Sequence, residues 1–208
     1  MIELLTADTP NGKKISIMLE EINYDYKVTK INIYKDEQFK PEFKKISPFS
    51  KTPVIIDHEN KKSLFESGAI LIYLGEKSGK FYDLNQRTII NQWLMGQMAY
   101  VGPMLGQHHQ FHHYNPGKSE FGESRYFKIA ERIYKELDER LSISKFLAGR
   151  DYTIADIATF PWIARHEWHD IGLNKFNSLK RWYKEISKRE AVIKGYDLLK
   201  KGEVIPKV

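Results

Sequence analysis

The 208-residue sequence contains no cysteine. It can therefore form neither disulfides nor thiolate metal sites, and it has no thiol of its own for thiol–disulfide exchange. Any reacting sulfur must be supplied by a ligand.

Long apolar runs are also missing. No stretch of about 18 apolar residues occurs, so we expect no membrane-spanning helix. The N-terminus lacks the basic and then apolar segments of a signal peptide, which predicts a cytoplasmic protein. A hydrophobic content of 41% is that of an ordinary globular protein.

The positive charge is not concentrated in one place. The net charge is +6, but lysines alternate with acids in Lys35–Glu37 and Lys135–Arg140. This mixing is typical of solvated helix faces rather than of a phosphate-binding stripe. The sequence therefore predicts no nucleic-acid partner.

The first 80 residues alternate strand and helix patterns. A short buried strand over Ile2–Thr6 precedes apolar residues with helical spacing at Ile15, Met18, Leu19 and Ile22. The other predicted elements are a bulged strand over Tyr26–Ile33, a helix over Pro41–Ile46, a hairpin of Val54–Asp57 and Ser63–Phe65, and a helix ending near Gly79. The order βαβαββα predicts an α/β domain with a mixed sheet.

Helical patterns dominate the rest of the chain. They cover Thr88–His113, Ser119–Leu141, Thr153–Ile171 and Ser178–Arg189. We therefore expect an α/β domain over residues 1–80, a linker over 81–85 and an all-helical domain over 86–208. Thr153 and Asp156 have the spacing of a helix capping box, whose expected role is stability.

Three short motifs stand at predicted strand ends in the first domain: Thr9-Pro10-Asn11-Gly12, Lys51-Thr52-Pro53-Val54 and Phe65-Glu66-Ser67-Gly68. Their groups suit a small peptide-like ligand. Ser67 with nearby backbone N–H groups can receive a carboxylate, and Glu66 can hold an ammonium group. The alternatives are an ordinary turn with an N-cap at Thr9, an ordinary turn proline, and a simple helix cap at Ser67.

The motifs Lys51–Val54, Glu66–Ile70 and Tyr152–Asp156 together resemble the cytosolic glutathione transferases. Thr9–Gly12, Gln38–Phe43, Leu64–Ile70 and Gly102–Gln107 look like the bacterial nu class of that family, a relative of the fungal nitrogen-regulatory prion protein. The resemblance implies a thioredoxin-like N-terminal domain, an all-α C-terminal domain and a homodimer. It also implies glutathione, reduced or as its disulfide, as the cofactor.

The same resemblance implies roles for nine residues. Thr9 and Asn11 would position the glutathione sulfur and stabilise its thiolate. The glutathione-binding residues would be Gln38 and Lys51 at the glycyl end, Thr52 beside a cis-Pro53, Glu66 and Ser67 at the γ-glutamyl end, and Arg125. For Arg125 the alternative is a solvated helix charge.

Donors as modest as Thr9 and Asn11 suffice for a thiolate. Lowering a thiol pKa by two units needs about 2.7 kcal/mol of preferential stabilisation. One hydrogen bond to a charged group contributes roughly 1.5–3 kcal/mol. No protein base is needed.

The histidines His108, His109, His112 and His113 form two pairs with i,i+4 spacing, which can hold a metal on a helix. No acidic residue lies within this cluster. We interpret it as a pocket wall or helix end and predict no metal.

The sequence leaves three functions open. The first is a glutathione-dependent disulfide-bond oxidoreductase acting on a small disulfide, with bound glutathione as the thiol. The second is a transferase or peroxidase acting on electrophiles or hydroperoxides. The third is a non-catalytic regulatory or binding module of the same fold.

Overall fold

The computed structural model describes residues 1–200 and 202–208. They group into two compact units. The first is Met1–Tyr82 with Arg189–Val204, and the second is Asp83–Lys188 with Ile205–Val208. The predicted domains, residues 1–80 and 86–208, differ from these units chiefly in the segment Arg189–Val204.

The first unit contains a four-stranded mixed sheet. Its elements are β1 (Ile2–Thr6), α1 (Pro10–Ile22), β2 (Tyr26–Lys30), α2 (Pro41–Ile46), β3 (Val54–Asp57), β4 (Lys62–Phe65) and α3 (Ser67–Ser78). The strand order is β2-β1-β3-β4, with β2 parallel to β1 and the other two pairs antiparallel. The βαβαββα order and the mixed sheet are confirmed.

The core of this unit follows the predicted periodicity. Ile15, Met18, Leu19 and Ile22 of α1 are all buried, as is Leu4 at the centre of β1. The apolar stripe of α1 is therefore covered, as its spacing predicted.

The predicted extension of the second strand to Ile33 is wrong. The strand ends at Lys30, and a 3₁₀ turn covers Ile33–Lys35. The side chain of Asn32 accepts a hydrogen bond from the Tyr34 backbone N–H at 3.1 Å, which bends the chain locally.

A helix that the sequence analysis missed, α9 (Glu190–Asp197), packs against α1 in the first unit. The two backbones approach closely, since a Cβ on Gly195 would lie 2.5 Å from Ile17 Cα. The Ser16 hydroxyl also donates to the Gly195 carbonyl at 2.6 Å. Only glycine fits at this crossing.

The second unit is all-helical, which confirms the predicted fold class. Its helices are α4 (Arg87–Gly96), α5 (Gly102–His108), α6 (Glu120–Ser142), α7 (Ile154–Ile163) and α8 (Asn177–Ile186), with π-helical turns over Gln97–Val101 and His109–Tyr114 and a 3₁₀ turn over His166–His169. None of the helices in the described residues has the length and apolar content needed to cross a membrane.

Two predicted helices are interrupted. The run Thr88–His113 contains π turns on both sides of α5, and the first directly precedes Gly102-Pro103. Proline lacks an N–H and its ring crowds the carbonyl four residues earlier, so the regular hydrogen-bond ladder breaks there. The run Thr153–Ile171 is α-helical only to Ile163.

The predicted capping box of α7 is confirmed. Thr153 Oγ1 accepts from the Ala155 N–H at 3.3 Å, and Asp156 accepts from the Thr153 N–H at 3.0 Å.

We expect the Thr153→Ala variant to lose about 1 kcal/mol of unfolding free energy through the lost cap. Urea denaturation monitored by circular dichroism would measure it. Thr153→Ser, which keeps the hydroxyl, is the control and should lose clearly less. An unchanged midpoint in Thr153→Ala would contradict the capping role.

Candidate functional site

A cavity of about 250 Å³ opens in the first unit. It is lined by Asn11, Ser47, Phe49, Lys51, Thr52, Pro53, Phe65, Glu66 and Ser67. Six of these are predicted site residues, drawn from all three motifs. The structure therefore brings the ends of three separate chain segments to one cavity.

The first motif starts α1. Thr9 is the N-cap, and its hydroxyl oxygen accepts from the Gly12 N–H at 3.1 Å. Asn11, half-buried, follows Pro10 in the first turn and lines the cavity, whereas Thr9 is not among the lining residues. A Cβ on Gly12 would lie 2.4 Å from the Ala7 carbonyl oxygen, so the turn has no room for a side chain there.

The second motif precedes β3. The Thr52–Pro53 peptide bond is cis, as the resemblance implied. Buried Ser47 holds the adjoining loop, since its Oγ accepts from the Lys51 N–H at 3.0 Å and donates to the Lys51 carbonyl at 2.8 Å. These bonds fix the Lys51 backbone while its side chain stays exposed.

The third motif starts α3. Glu66 is exposed and has a positive φ of 69° with ψ of 114°, which is rare for a residue with a side chain. It occupies the N-cap position, and buried Ser67 is the first helical residue. The interpretation of Ser67 as the helix cap is therefore wrong, because the helical conformation begins at Ser67 itself.

The start of α3 is suited to an anion. The side chain of the N-cap residue Glu66 makes no capping hydrogen bond to this helix. The N–H groups of a helix's first turn need partners, and the helix dipole favours negative charge there. A carboxylate at this position would satisfy both requirements, and the Glu66 carboxylate beside it would pair with an ammonium group.

Two aromatic residues and Ser47 are parts of the cavity that the sequence analysis missed. Phe49 and Phe65 form an edge-to-face pair with ring centroids 6.3 Å apart, and both are exposed. They give the cavity an apolar border. Phe65 belonged to a recognised motif, but nothing local in the sequence pointed to Phe49 or Ser47.

Gln38 does not line the cavity. It lies in a 3₁₀ turn over Glu37–Phe39, and its Nε2 donates to the Ile33 carbonyl at 3.4 Å. Its Oε1 is buried and has no hydrogen-bond partner among the described residues.

Arg125 belongs to the second unit, where it is exposed on α6. It lines an open groove of about 790 Å³ together with Tyr100, Met104, Glu120, Phe121, Ser124, Lys128, Ile129 and Arg132. Arg125, Lys128 and Arg132 are spaced three and four residues apart and share one face of the helix. The groove is therefore cationic, with aromatic and aliphatic walls.

The histidines of the predicted cluster enter hydrogen-bond networks. His109 Nε2 lies 2.7 Å from His169 Nε2, and the Tyr134 hydroxyl lies 2.6 Å from His169 Nδ1. Burial lowers the pKa of His109 to about 3 and lowers that of His169 well below its usual range. This network is built to hold neutral imidazoles in the interior.

The outer histidines have other partners. His112 Nε2 lies 2.8 Å from Asp170 Oδ2, an acidic partner that the local sequence did not reveal, and His113 stacks on Trp168. No group of three or more potential metal ligands is found in residues 1–200 and 202–208. His169, missed by the sequence analysis, links the buried histidines because the 3₁₀ turn after α7 brings it to them.

Comparison with known proteins places the chain in a family. Residues 3–76 match the glutathione S-transferase N-terminal domain, and residues 109–190 match the glutathione S-transferase C-terminal domain. The disulfide-bond oxidoreductase YfcG of Escherichia coli is 43% identical over 207 residues, which cover 96% of this chain and 95% of that protein.

Solved structures of glutathione transferases are also similar to this chain. A glutathione transferase from Burkholderia graminis with two glutathione molecules bound per subunit has a TM-score of 0.90 at 36% identity, covering 97% of this chain and 89% of that one. Another from Pseudomonas putida, with one glutathione disulfide per subunit, has a TM-score of 0.87 at 37% identity, covering 95% and 91%. The chain belongs to the glutathione S-transferase family, which confirms the predicted resemblance.

Proposed function

We propose that this protein is a glutathione-dependent disulfide-bond oxidoreductase in which bound glutathione, not a protein cysteine, is the reacting thiol. The observation that carries the proposal is a cavity lined by Asn11, Thr52, Glu66 and Ser67 in a chain without cysteine. YfcG of Escherichia coli is named a disulfide-bond oxidoreductase, and the two similar transferase structures contain glutathione or glutathione disulfide. Both findings support the proposal.

Glutathione would lie across the cavity as an extended peptide. Its γ-glutamyl carboxylate would meet the N-terminus of α3 at Ser67, and its ammonium group would meet the Glu66 carboxylate. The Thr52 backbone would pair with the peptide like an added strand. Lys51, and Gln38 after a change of side-chain conformation, would serve the glycyl end.

Asn11 and Thr9 would serve the sulfur. Both stand at the N-terminal end of α1, where the helix dipole favours a thiolate. The Thr9 oxygen accepts from Gly12, and its hydroxyl proton can still be donated, since a hydroxyl is both donor and acceptor. Their role would be stabilisation of the thiolate rather than removal of its proton.

The proposed reaction has two exchange steps. The bound thiolate attacks one sulfur of the substrate disulfide, forms a mixed disulfide and releases the other sulfur as a thiolate. A second glutathione thiolate then attacks the glutathione sulfur, which yields glutathione disulfide and the second substrate thiolate. The two protons lost by glutathione pass to the two product thiols.

The cationic groove of α6 suits an anionic ligand. Arg125, Lys128 and Arg132 can pair with the carboxylates of a second glutathione. The two glutathione molecules per subunit in the Burkholderia graminis structure support such a role. We further propose that the protein belongs to the nu class, forms a homodimer and acts in the cytoplasm.

Transfer of glutathione to an electrophile is the second candidate. The exposed edge-to-face pair of Phe49 and Phe65 favours it, because an apolar electrophile could pack there beside the thiolate. A regulatory or binding module without activity is the third possibility and is an outcome of the same test.

For each reaction, the acceleration is the rate with purified protein divided by the protein-free rate. We expect the acceleration of the reduction of a small model disulfide by glutathione to be at least tenfold greater than that of the conjugation of glutathione to a model aromatic electrophile. The reason is that the proposed site supports two successive thiol exchanges. A coupled assay of glutathione disulfide and an absorbance assay of the conjugate would measure the two rates.

Reactions without glutathione serve as controls. Faster conjugation would make the protein a transferase. Absence of both activities, together with no glutathione binding, would favour the regulatory module.

A further inference from the structure

Two adjacent lysines of α1, Lys13 and Lys14, are buried. Lysine is almost never fully buried unless it is paired, because removing an ammonium group from water is costly. Methionine or leucine would fill the same volume at lower cost. Two buried lysines in one helix therefore call for a separate explanation of each.

Lys13 is explained by its partners in the first unit. Its ammonium group donates to the Tyr196 carbonyl at 2.8 Å and pairs with Asp8 at 2.9 Å and Glu203 at 2.5 Å. These contacts tie α1 to α9 and the segment after it. Lys13 has a structural role away from the cavity.

The Lys14 side chain points toward the start of α3. Its Nζ donates to Ser67 Oγ at 3.4 Å, and its charge interacts favourably with that of Glu66. Lys14 is one helical turn beyond Asn11, so both residues are on one side of α1, which packs against α3. The fully buried ammonium group therefore lies beneath the part of the cavity that Asn11, Glu66 and Ser67 line.

Burial makes the position of Lys14 costly for a charged ammonium group. Burial lowers the pKa of Lys14 well below its usual range, and Glu66 opposes the fall. A second negative charge placed at Ser67 would stabilise the protonated lysine further. By the same interaction, the lysine would strengthen the binding of that negative charge.

We propose that Lys14 is a positioning residue for the γ-glutamyl carboxylate of the ligand, acting from beneath Ser67 by fixing its hydroxyl and supplying the positive charge of the site. The inference rests on the proposed function, since it assigns the charge that a glutathione-binding cavity would use. Because the Ser67 oxygen accepts from Lys14, the Ser67 hydroxyl proton points away from the lysine.

The test compares two ligands and four proteins by isothermal titration calorimetry. The ligands are glutathione and an analogue whose γ-glutamyl carboxylate is converted to a carboxamide. The proteins are wild type, Lys14→Met, Lys14→Gln and Lys13→Met. Lys14→Gln retains a hydrogen-bond donor without the charge, so the test does not depend on the folding of Lys14→Met.

We expect both Lys14 variants to weaken glutathione binding by about tenfold, the scale of one hydrogen bond to a charged group. The carboxamide analogue should bind the Lys14 variants and the wild type almost equally, because the charge that Lys14 recognises is absent. Steady-state assays should show a raised KM for glutathione with kcat at saturation nearly unchanged. Lys13→Met should melt at a lower temperature and bind glutathione as the wild type does.

Equal losses for both ligands, or no loss for glutathione, would overturn the assignment of Lys14. Wild-type protein that binds no glutathione would instead refute the proposed function. The two failures are therefore distinguishable within one set of titrations.

Discussion

Replacement of Asn11 by alanine is expected to lower kcat/KM for glutathione-dependent disulfide reduction by roughly ten- to a hundredfold. One hydrogen bond to a charged group contributes about 1.5–3 kcal/mol, and each 1.4 kcal/mol is a factor of ten. Asn11 lines the cavity in the first turn of α1, where its amide can donate to the thiolate. Initial rates over a range of glutathione concentrations would measure the loss.

The loss should be chemical rather than structural. Asn11 is half-buried, and the cap of α1 is made by Thr9, so the melting temperature should change little. The pH–rate profile gives a second readout, because weaker thiolate stabilisation should raise the apparent pKa of the bound thiol by about one to two units. A lower rate without such a shift would indicate a packing effect.

Asn85→Ala is the matched control, since Asn85 is an exposed loop residue outside the cavity. It should keep wild-type kinetics. Full activity in Asn11→Ala would remove Asn11 from the sulfur site and leave Thr9 and the backbone N–H groups of α1 as the candidate donors.

The α/β order was predictable because its signals are local. Four apolar residues with helical spacing fix the buried face of α1, and all four are in the core. The end of β2 was not predictable from hydrophobic alternation. Ile31 is buried as a strand residue would be, yet the Asn32 side chain turns the backbone immediately after it.

The candidate site was predictable where a motif carries its own backbone geometry. The motifs at Asn11, Thr52 and Glu66 meet in one cavity, since each follows or precedes a strand or helix end. Gln38 was assigned by resemblance alone, and its side chain is turned to the Ile33 carbonyl. No local pattern distinguishes a side chain that faces a cavity from one that faces the adjoining turn.

The burial of Lys14 could not be predicted from the sequence either. Lysines in a helix are ordinarily solvated, yet Lys13 and Lys14 are both buried by residues far away in the chain. The Lys14 partner Ser67 is 53 positions away, and the Lys13 partner Tyr196 is 183 positions away. A pairing of that kind depends on tertiary packing, which periodicity does not encode.

Asp156 belongs to a motif that was recognised, yet its contacts made through tertiary packing could not be predicted. Its spacing from Thr153 predicted a capping box, which is present. Its other oxygen, Oδ1, accepts from the Leu147 N–H at 2.9 Å and the Trp182 indole at 2.8 Å. Asp156 thus joins α7 to α8 and to the loop before α7, a role that the local spacing did not indicate.

The Asp156→Ala variant is expected to lose at least about 3 kcal/mol of unfolding free energy. The substitution removes the acceptor of four hydrogen bonds and leaves buried donors without it, each at a cost of about 1–3 kcal/mol. At roughly 2–4 °C per kcal/mol for a chain of this size, the melting temperature should fall by about 10 °C. Differential scanning calorimetry would measure it.

The loss should also depend on pH in a defined direction. Burial raises the pKa of Asp156 to about 6, although four donors favour the carboxylate. The folded protein then binds more protons than the unfolded chain between about pH 4 and 6, so the contribution of Asp156 to stability falls as pH rises through this window. The difference between wild type and Asp156→Ala should therefore be about 1 kcal/mol larger at pH 5 than at pH 7.5.

Asp151→Ala, which removes an exposed carboxylate near the same helix, should show neither the loss nor the pH dependence. A wild-type melting temperature in Asp156→Ala would mean that the four hydrogen bonds contribute no net stability. A stability difference between wild type and variant that is smaller at pH 5 than at pH 7.5 would mean that folding lowers the pKa of Asp156.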